Sequence, residues 1–134
     1  MVFLSACAAQ PPQSAEALRQ AVTTSKAQTF EVRRRHRDVA ASLQRNAQKC
    51  LDVRTKDVVY KPTMVVSARR AELHVHRQEA GGGYYVLVAD ALPVRRGRTA
   101  LQLYVPPGYD ALVGAVKAWA NGVSAACPDM SNTG

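Results

Sequence analysis

Hydrophobic and polar positions follow two different periods along this chain. From Asp38 to Cys50, Val39, Leu43, Ala47 and Cys50 recur at spacings of four, four and three, with Arg45, Gln48 and Lys49 off the stripe. That spacing predicts an amphipathic helix. Asp38 is its expected N-cap, because a carboxylate there accepts orphan backbone N–H groups. The same period returns from Asp110 to Ala126, where Leu112, Val116, Trp119 and Val123 form a stripe that Cys127 continues. Pro107 and Gly108 mark the entrance of this second helix, and Pro128 stops it.

Between the helices the period falls to two. Leu51, Val53 and Thr55 alternate with Asp52, Arg54 and Lys56, and Leu73 and Val75 alternate with Glu72, His74 and His76. Tyr84 to Leu92 is an apolar run, Leu101 to Val105 alternates again, and Met64 to Ser67 is a short strand entered by Pro62. Thr29 to Val32 forms a strand before the first helix, with Phe30 and Val32 facing inward. The turns at Gly81-Gly82-Gly83 and Pro93–Gly97 are short, so the strands they join run antiparallel. One apolar sheet face needs cover, and the two helices supply it. The expected fold is therefore α+β: an antiparallel sheet of about five to six strands packed on two helices, in the order β-α-β(4–5)-α. This resembles a helix-grip arrangement. There is no internal repeat and no transmembrane span.

The chain of 134 residues has room for one domain, and its 47% hydrophobic content suits a folded globule. With one Trp, five Tyr and two Phe, the core rests on Val, Leu and Ala, and a covalent cross-link would help it. A formal charge of +8, from 18 Lys+Arg against 10 Asp+Glu, favours anionic partners. Charge alone does not choose among nucleic acid, phospholipid and anionic envelope polymers. Location does.

Leu4-Ser5-Ala6-Cys7 resembles the bacterial lipobox and so bears on location. The small residues before Cys7 suit a signal peptidase pocket. Ala8-Ala9-Gln10-Pro11-Pro12-Gln13-Ser14-Ala15 then reads as a polar tether. The six residues before Cys7 are too few for a basic and an apolar leader region, so export requires a longer leader upstream. The expected organisation is residual leader and lipobox at 1–6, flexible tether at 7–28, one α+β domain at 29–130, and a tail at 131–134. If Cys7 carries lipid, two of the three cysteines remain. Cys50 and Cys127 each end a helix on its buried stripe, so helices packed side by side can bring them together. A disulfide there closes a loop of about 78 residues, worth about 4 kcal/mol on the chain-entropy model. The alternative is two buried free thiols in a reducing compartment.

Several segments together carry a resemblance. They are Ala71-Glu72-Leu73-His74-Val75, Gly83 to Pro93, Gly97-Arg98-Thr99, Leu103-Tyr104, Ala118-Trp119-Ala120-Asn121-Gly122 and Cys127-Pro128-Asp129-Met130. Over residues 29 to 130 they resemble a proteobacterial family of outer-membrane and periplasmic lipoproteins to which no activity is assigned. The helix-grip outline is also similar, at the level of fold, to lipoprotein domains of the β-barrel assembly machine. The resemblance implies an outer-membrane location on the periplasmic face, since the residue after Cys7 is Ala8 rather than Asp. It brings no catalytic residues. An exported protein does not ordinarily meet nucleic acid, so none is expected as partner.

The candidate chemistry is sparse. Arg33, Arg34, Arg35 and Arg37 precede the first helix, while Arg69-Arg70 and Arg95-Arg96-Arg98 fall in or beside turns. Guanidinium groups pair bidentately with phosphate or carboxylate, so these nine are the candidate anionic contacts. The bland alternative is scattered solvated charge. His74 and His76 share a strand face with Glu72 and are weak metal candidates that lack an evident fourth ligand. Gly81-Gly82-Gly83 lacks the following Lys-Ser/Thr of a phosphate loop. No Gly-x-Ser-x-Gly elbow exists, and the acids are dispersed. The expectation is a non-enzymatic envelope lipoprotein without cofactor. It binds an envelope protein, or an anionic lipid or lipopolysaccharide surface, and touches the membrane only through its lipid. The alternative is a carrier or sensor of a small apolar ligand held between sheet and C-terminal helix, with Ala40, Ala47, Ala115 and Ala120 leaving the space.

Overall fold

Residues 11–22, 28–124 and 127–130 are described by the structure, a computed structural model. The elements in order are α1 (Ala15–Ala21), β1 (Gln28–Val32), α2 (His36–Cys50), β2 (Val53–Arg54), β3 (Val58–Val66), β4 (Ala71–Glu79), β5 (Gly82–Arg95), β6 (Arg98–Tyr104) and α3 (Ala111–Ala120). The strands form one six-stranded antiparallel sheet in the order β1-β6-β5-β4-β3-β2. The α+β class and the sheet packed on helices are thus as the periodicity predicts. No helix among the described residues is long and apolar enough to cross a membrane.

Register sorts the side chains between two faces. Leu73 lies opposite Ala89, Val75 opposite Leu87, and Ala91 opposite Leu101, so all six share one face. On that face α2 and α3 pack against the sheet and each other. The core there holds Val39, Leu43, Leu73, Leu87, Leu101, Leu112, Val116 and Trp119, all buried. Burying each such aliphatic side chain contributes about 1.5–3 kcal/mol before entropy is counted. Ala40, Ala47 and Ala120 are buried in the same cluster, where small side chains let helices approach closely.

Four boundaries differ from expectation, each for a local reason. Within the segment expected to be tether, Ser14 caps α1 by accepting a hydrogen bond from the Ala17 N–H (3.0 Å), and Leu18 is fully buried. Helix α2 begins at His36 rather than behind an Asp38 cap; Asp38 lies in its first turn, where a negative charge still suits the helix dipole. Strand β3 begins at Val58 and contains Pro62. The Val58 carbonyl accepts from the Thr55 N–H on the β2 side, so by alternation Pro62 turns its missing N–H to the open edge, where no ladder bond is lost. Helix α3 stops at Ala120 instead of running to Ala126. Gly122 takes φ 85°, its N–H donates to the Trp119 carbonyl (2.9 Å), and the Val123 N–H donates to that of Ala118 (2.9 Å). This is a Schellman stop, which glycine permits.

Cys127 therefore lies beyond α3, not on it, yet it reaches the end of α2. Cys50 and Cys127 are joined by a disulfide, with Cα atoms 5.0 Å apart and 77 positions apart in sequence. The bridge ties the C-terminal segment, including buried Met130, to the core. Replacing both cysteines by alanine should lower stability by about 2–4 kcal/mol. Urea denaturation checks this as a fall in midpoint with folded-state circular dichroism retained.

Candidate functional site

Of the nine candidate arginines, the structure gathers five around one surface groove. Arg35 and Arg37 come from the start of α2, and Arg95, Arg96 and Arg98 from the β5–β6 hairpin; His36, Pro93, Val94 and Gly97 complete the lining, and the volume is about 760 Å³. The hairpin geometry explains the display. Arg95 pairs with Arg98, leaving Arg96-Gly97 as a two-residue connection with Gly97 at φ 69°. The register shifts between Pro93 and Arg95, so Val94 is the residue of a bulge and is 55% exposed. His36 fixes the other wall through a hydrogen bond between Nε2 and the Ser67 carbonyl (3.1 Å).

The lining of this groove carries five guanidiniums and no carboxylate. Among the described residues no side chain hydrogen-bonds at the N-cap of α2, Arg35, so the positive end of the helix dipole adds to the guanidinium charges and Asp38 in the first turn offsets part of both. Glu31 receives Arg95 Nη2 (2.9 Å) and Arg98 Nη1 (2.8 Å) at the rim, and these hydrogen bonds hold its carboxyl below the ordinary range. Arg35, Arg37 and Arg96 have no acidic partner among the described residues.

The other arginines go elsewhere. Arg33 and Arg69 are exposed and do not line the groove. Arg34 is an internal strut: Nη1 donates to Ser42 Oγ (3.0 Å) and to the Ala120 carbonyl (2.9 Å), closing the C-terminal end of α3. Its Nη1 is thereby already engaged within the fold. Arg70 is likewise diverted, at 2.8 Å from Glu72 Oε2 and 3.4 Å from Asp90 Oδ1.

That diversion belongs to a second cluster, on the sheet face opposite α2 and α3. Asp90 in the central strand β5 has a side chain only 4% exposed. Arg19 of α1 reaches it with Nε (2.9 Å) and Nη2 (2.8 Å), and Nη2 also meets Glu72 Oε1 (2.6 Å). His74 Nε2 lies 2.9 Å from the same Glu72 oxygen. Burial raises the Glu72 carboxyl, but hydrogen bonds from His74 and Arg19 and the charges of Arg70 and Arg19 outweigh it, bringing it down to about 2. His74 and His76 do share a face, with the Tyr85 ring edge-on to both. No group of three or more metal-ligating side chains forms among the described residues.

A third cluster has no counterpart among the sequence candidates. The Tyr109 hydroxyl lies 3.3 Å from that of Tyr60 and 3.2 Å from that of Tyr84, while Arg77 Nη1 donates to Tyr109 (2.6 Å). Burial pushes the Tyr109 hydroxyl up, so it stays neutral and bridges its neighbours. Every member of these two clusters is engaged in mutual bonding, which suits a structural part.

The chain matches no protein-family model, no curated protein and no solved structure. Cys7, the expected lipidation site, lies outside the described residues.

The Glu72 carboxyl titrates lower in the folded chain (about 2) than its ordinary 4.5, so it stabilises the fold fully above 4.5 and progressively less as pH falls toward 2. Glu72→Gln should flatten the stability–pH curve in that acid window and leave its slope near neutrality unchanged. Urea midpoints across the series check this.

Proposed function

We propose that this protein is a non-enzymatic envelope lipoprotein whose domain docks an anionic envelope partner in the groove of Arg35, Arg37, Arg95, Arg96 and Arg98. Cys7 carries the lipid and holds the chain at the periplasmic face of the outer membrane. The observation that carries the reading is the convergence of two arginine runs, some 60 positions apart in sequence, on one groove with three unpaired guanidiniums among the described residues. Guanidiniums fork onto carboxylate or phosphate, and several on one concave wall add orientation to attraction. The disulfide supports an oxidising compartment, where such bridges persist. The mutual ion pairing of Glu72, Asp90, Arg19 and Arg70 supports a non-catalytic part, because a general acid or base needs a free face toward substrate. No observation favours the carrier alternative: the space between sheet and helices is filled by Leu43, Leu87, Leu101, Leu112 and Trp119.

Two experiments test the two halves separately. The probe for docking is fluorescent poly-glutamate, followed by anisotropy at low ionic strength. Three exposed ion contacts are worth about 1–2 kcal/mol together, so the triple variant Arg35→Glu, Arg37→Glu, Arg96→Glu should bind about tenfold more weakly. A control with equal charge change elsewhere, Arg54→Glu, Lys56→Glu, Lys61→Glu, should lose less than about threefold. Equal losses would reduce the groove to net charge. For the anchor, expression behind an export leader should incorporate palmitate into the wild-type chain and not into Cys7→Ser; label in both would remove Cys7 from the reading.

A further inference from the structure

The attachment point of the N-terminal segment and the arginine groove lie at opposite ends of strand β5. At one end, the Tyr85 N–H donates to the Pro12 carbonyl (2.9 Å) and Gln13 Nε2 donates to the Gly83 carbonyl (2.9 Å). Gly83 tolerates no side chain here, since a Cβ would strike the Arg77 carbonyl. From there α1 runs along β5, with Leu18 fully buried and Arg19 clamped on Asp90 and Glu72. At the other end are Pro93 to Arg98 and the groove. Ten residue steps of extended strand separate Gly83 from Pro93, roughly 33 Å at about 3.3 Å each.

Chain length then limits the anchor. Five residue steps separate Cys7 from Pro12, a span of at most about 18 Å. While α1 is docked, a lipid on Cys7 keeps the Gly83 end within that reach of the bilayer, and the groove lies at the other end of β5. With α1 released, the tether would run from Cys7 to Gln28, 21 steps, or up to about 70 Å.

We infer that the arginine groove points away from the membrane that holds Cys7, with α1 as the clip that fixes this orientation, and that it takes the acidic face of a partner protein beyond that membrane. This rests on the lipoprotein reading above. The choice of a protein follows from the lining. Glu31 seated between Arg95 and Arg98 shows that their spacing fits a side-chain carboxylate. Exposed Val94, flanked by Pro93, sets an apolar spot among the charges, the pairing of apolar centre and charged surround that a protein interface uses.

The full-length chain, with its disulfide intact, is coupled through Cys7 to a maleimide lipid in vesicles of phosphatidylcholine and phosphatidylglycerol. A donor dye is placed through an unnatural amino acid at Ala80, beside Gly81, or at Ala68, in the turn that His36 holds at the groove end. Energy transfer to a membrane acceptor should be strong from Ala80 and weak from Ala68, and the difference should shrink in Arg19→Ala, which frees α1. Equal transfer from both sites in the wild-type chain would overturn the orientation without any variant. Anchored protein should also bind poly-glutamate as tightly as the uncoupled chain. Loss of that binding on anchoring, or capture of acceptor-free phosphatidylglycerol vesicles through Arg35, Arg37 and Arg96 in its place, would overturn the protein partner. Because the anchor is chemical, these outcomes stand apart from palmitate incorporation, which reports on Cys7 alone.

Discussion

A carboxylate in the middle of a central strand constrains the whole molecule. Asp90 has β4 on one side and β6 on the other, and its side chain is almost wholly buried. An uncompensated charge there costs several kcal/mol. The turn between β3 and β4 supplies only partial relief, from Arg70. The bidentate partner comes from outside it, as Arg19. To deliver Arg19, the chain must fold a helix onto the second sheet face and bury Leu18 there. One acid in β5 is thereby met by a helix within the expected tether, which the Pro12 and Gln13 hydrogen bonds hold at the Gly83 end of the sheet.

The same logic sorts the arginines. A guanidinium that reaches a half-buried carbonyl or carboxylate is spent on the fold, as Arg34 is on α3 and Arg70 on Glu72, whereas Arg95 and Arg98 share only the exposed carboxylate of Glu31 at the surface. Those on the two corners that meet at the groove, Arg35, Arg37 and Arg96, face no acid among the described residues. Like charges gathered at an uncapped helix N-terminus are unfavourable in isolation. A site of that kind is stabilised by an anion, and a docking partner is a natural source of one.

Much of the fold was legible because alternation and helical spacing are local. The apolar stripe of α2, the alternation Ala71-Leu73-Val75 and the two hairpins follow from neighbours in sequence. Two misreadings had signals that were present. Ser14 followed by Ala15-Glu16-Ala17-Leu18 is an N-cap before good helix formers, and Asn121-Gly122 is a helix stop. Pro62 inside β3 was not legible, because it depends on which edge of the strand lies open. The groove was half legible. The arginine runs stand out, but which of them meet, and that Arg34 and Arg70 are diverted, depends on pairing between segments far apart in sequence. The tyrosine cluster around Tyr109 left no local trace for the same reason.

The most direct measurement is an NMR titration of the arginine Nε–Hε resonances with poly-glutamate. Perturbations concentrated on Arg35, Arg37, Arg95, Arg96 and Arg98, with Arg19, Arg34 and Arg70 unmoved, are the expected result. Perturbations spread over all exposed arginines, Arg33, Arg54 and Arg69 included, would contradict a dedicated groove.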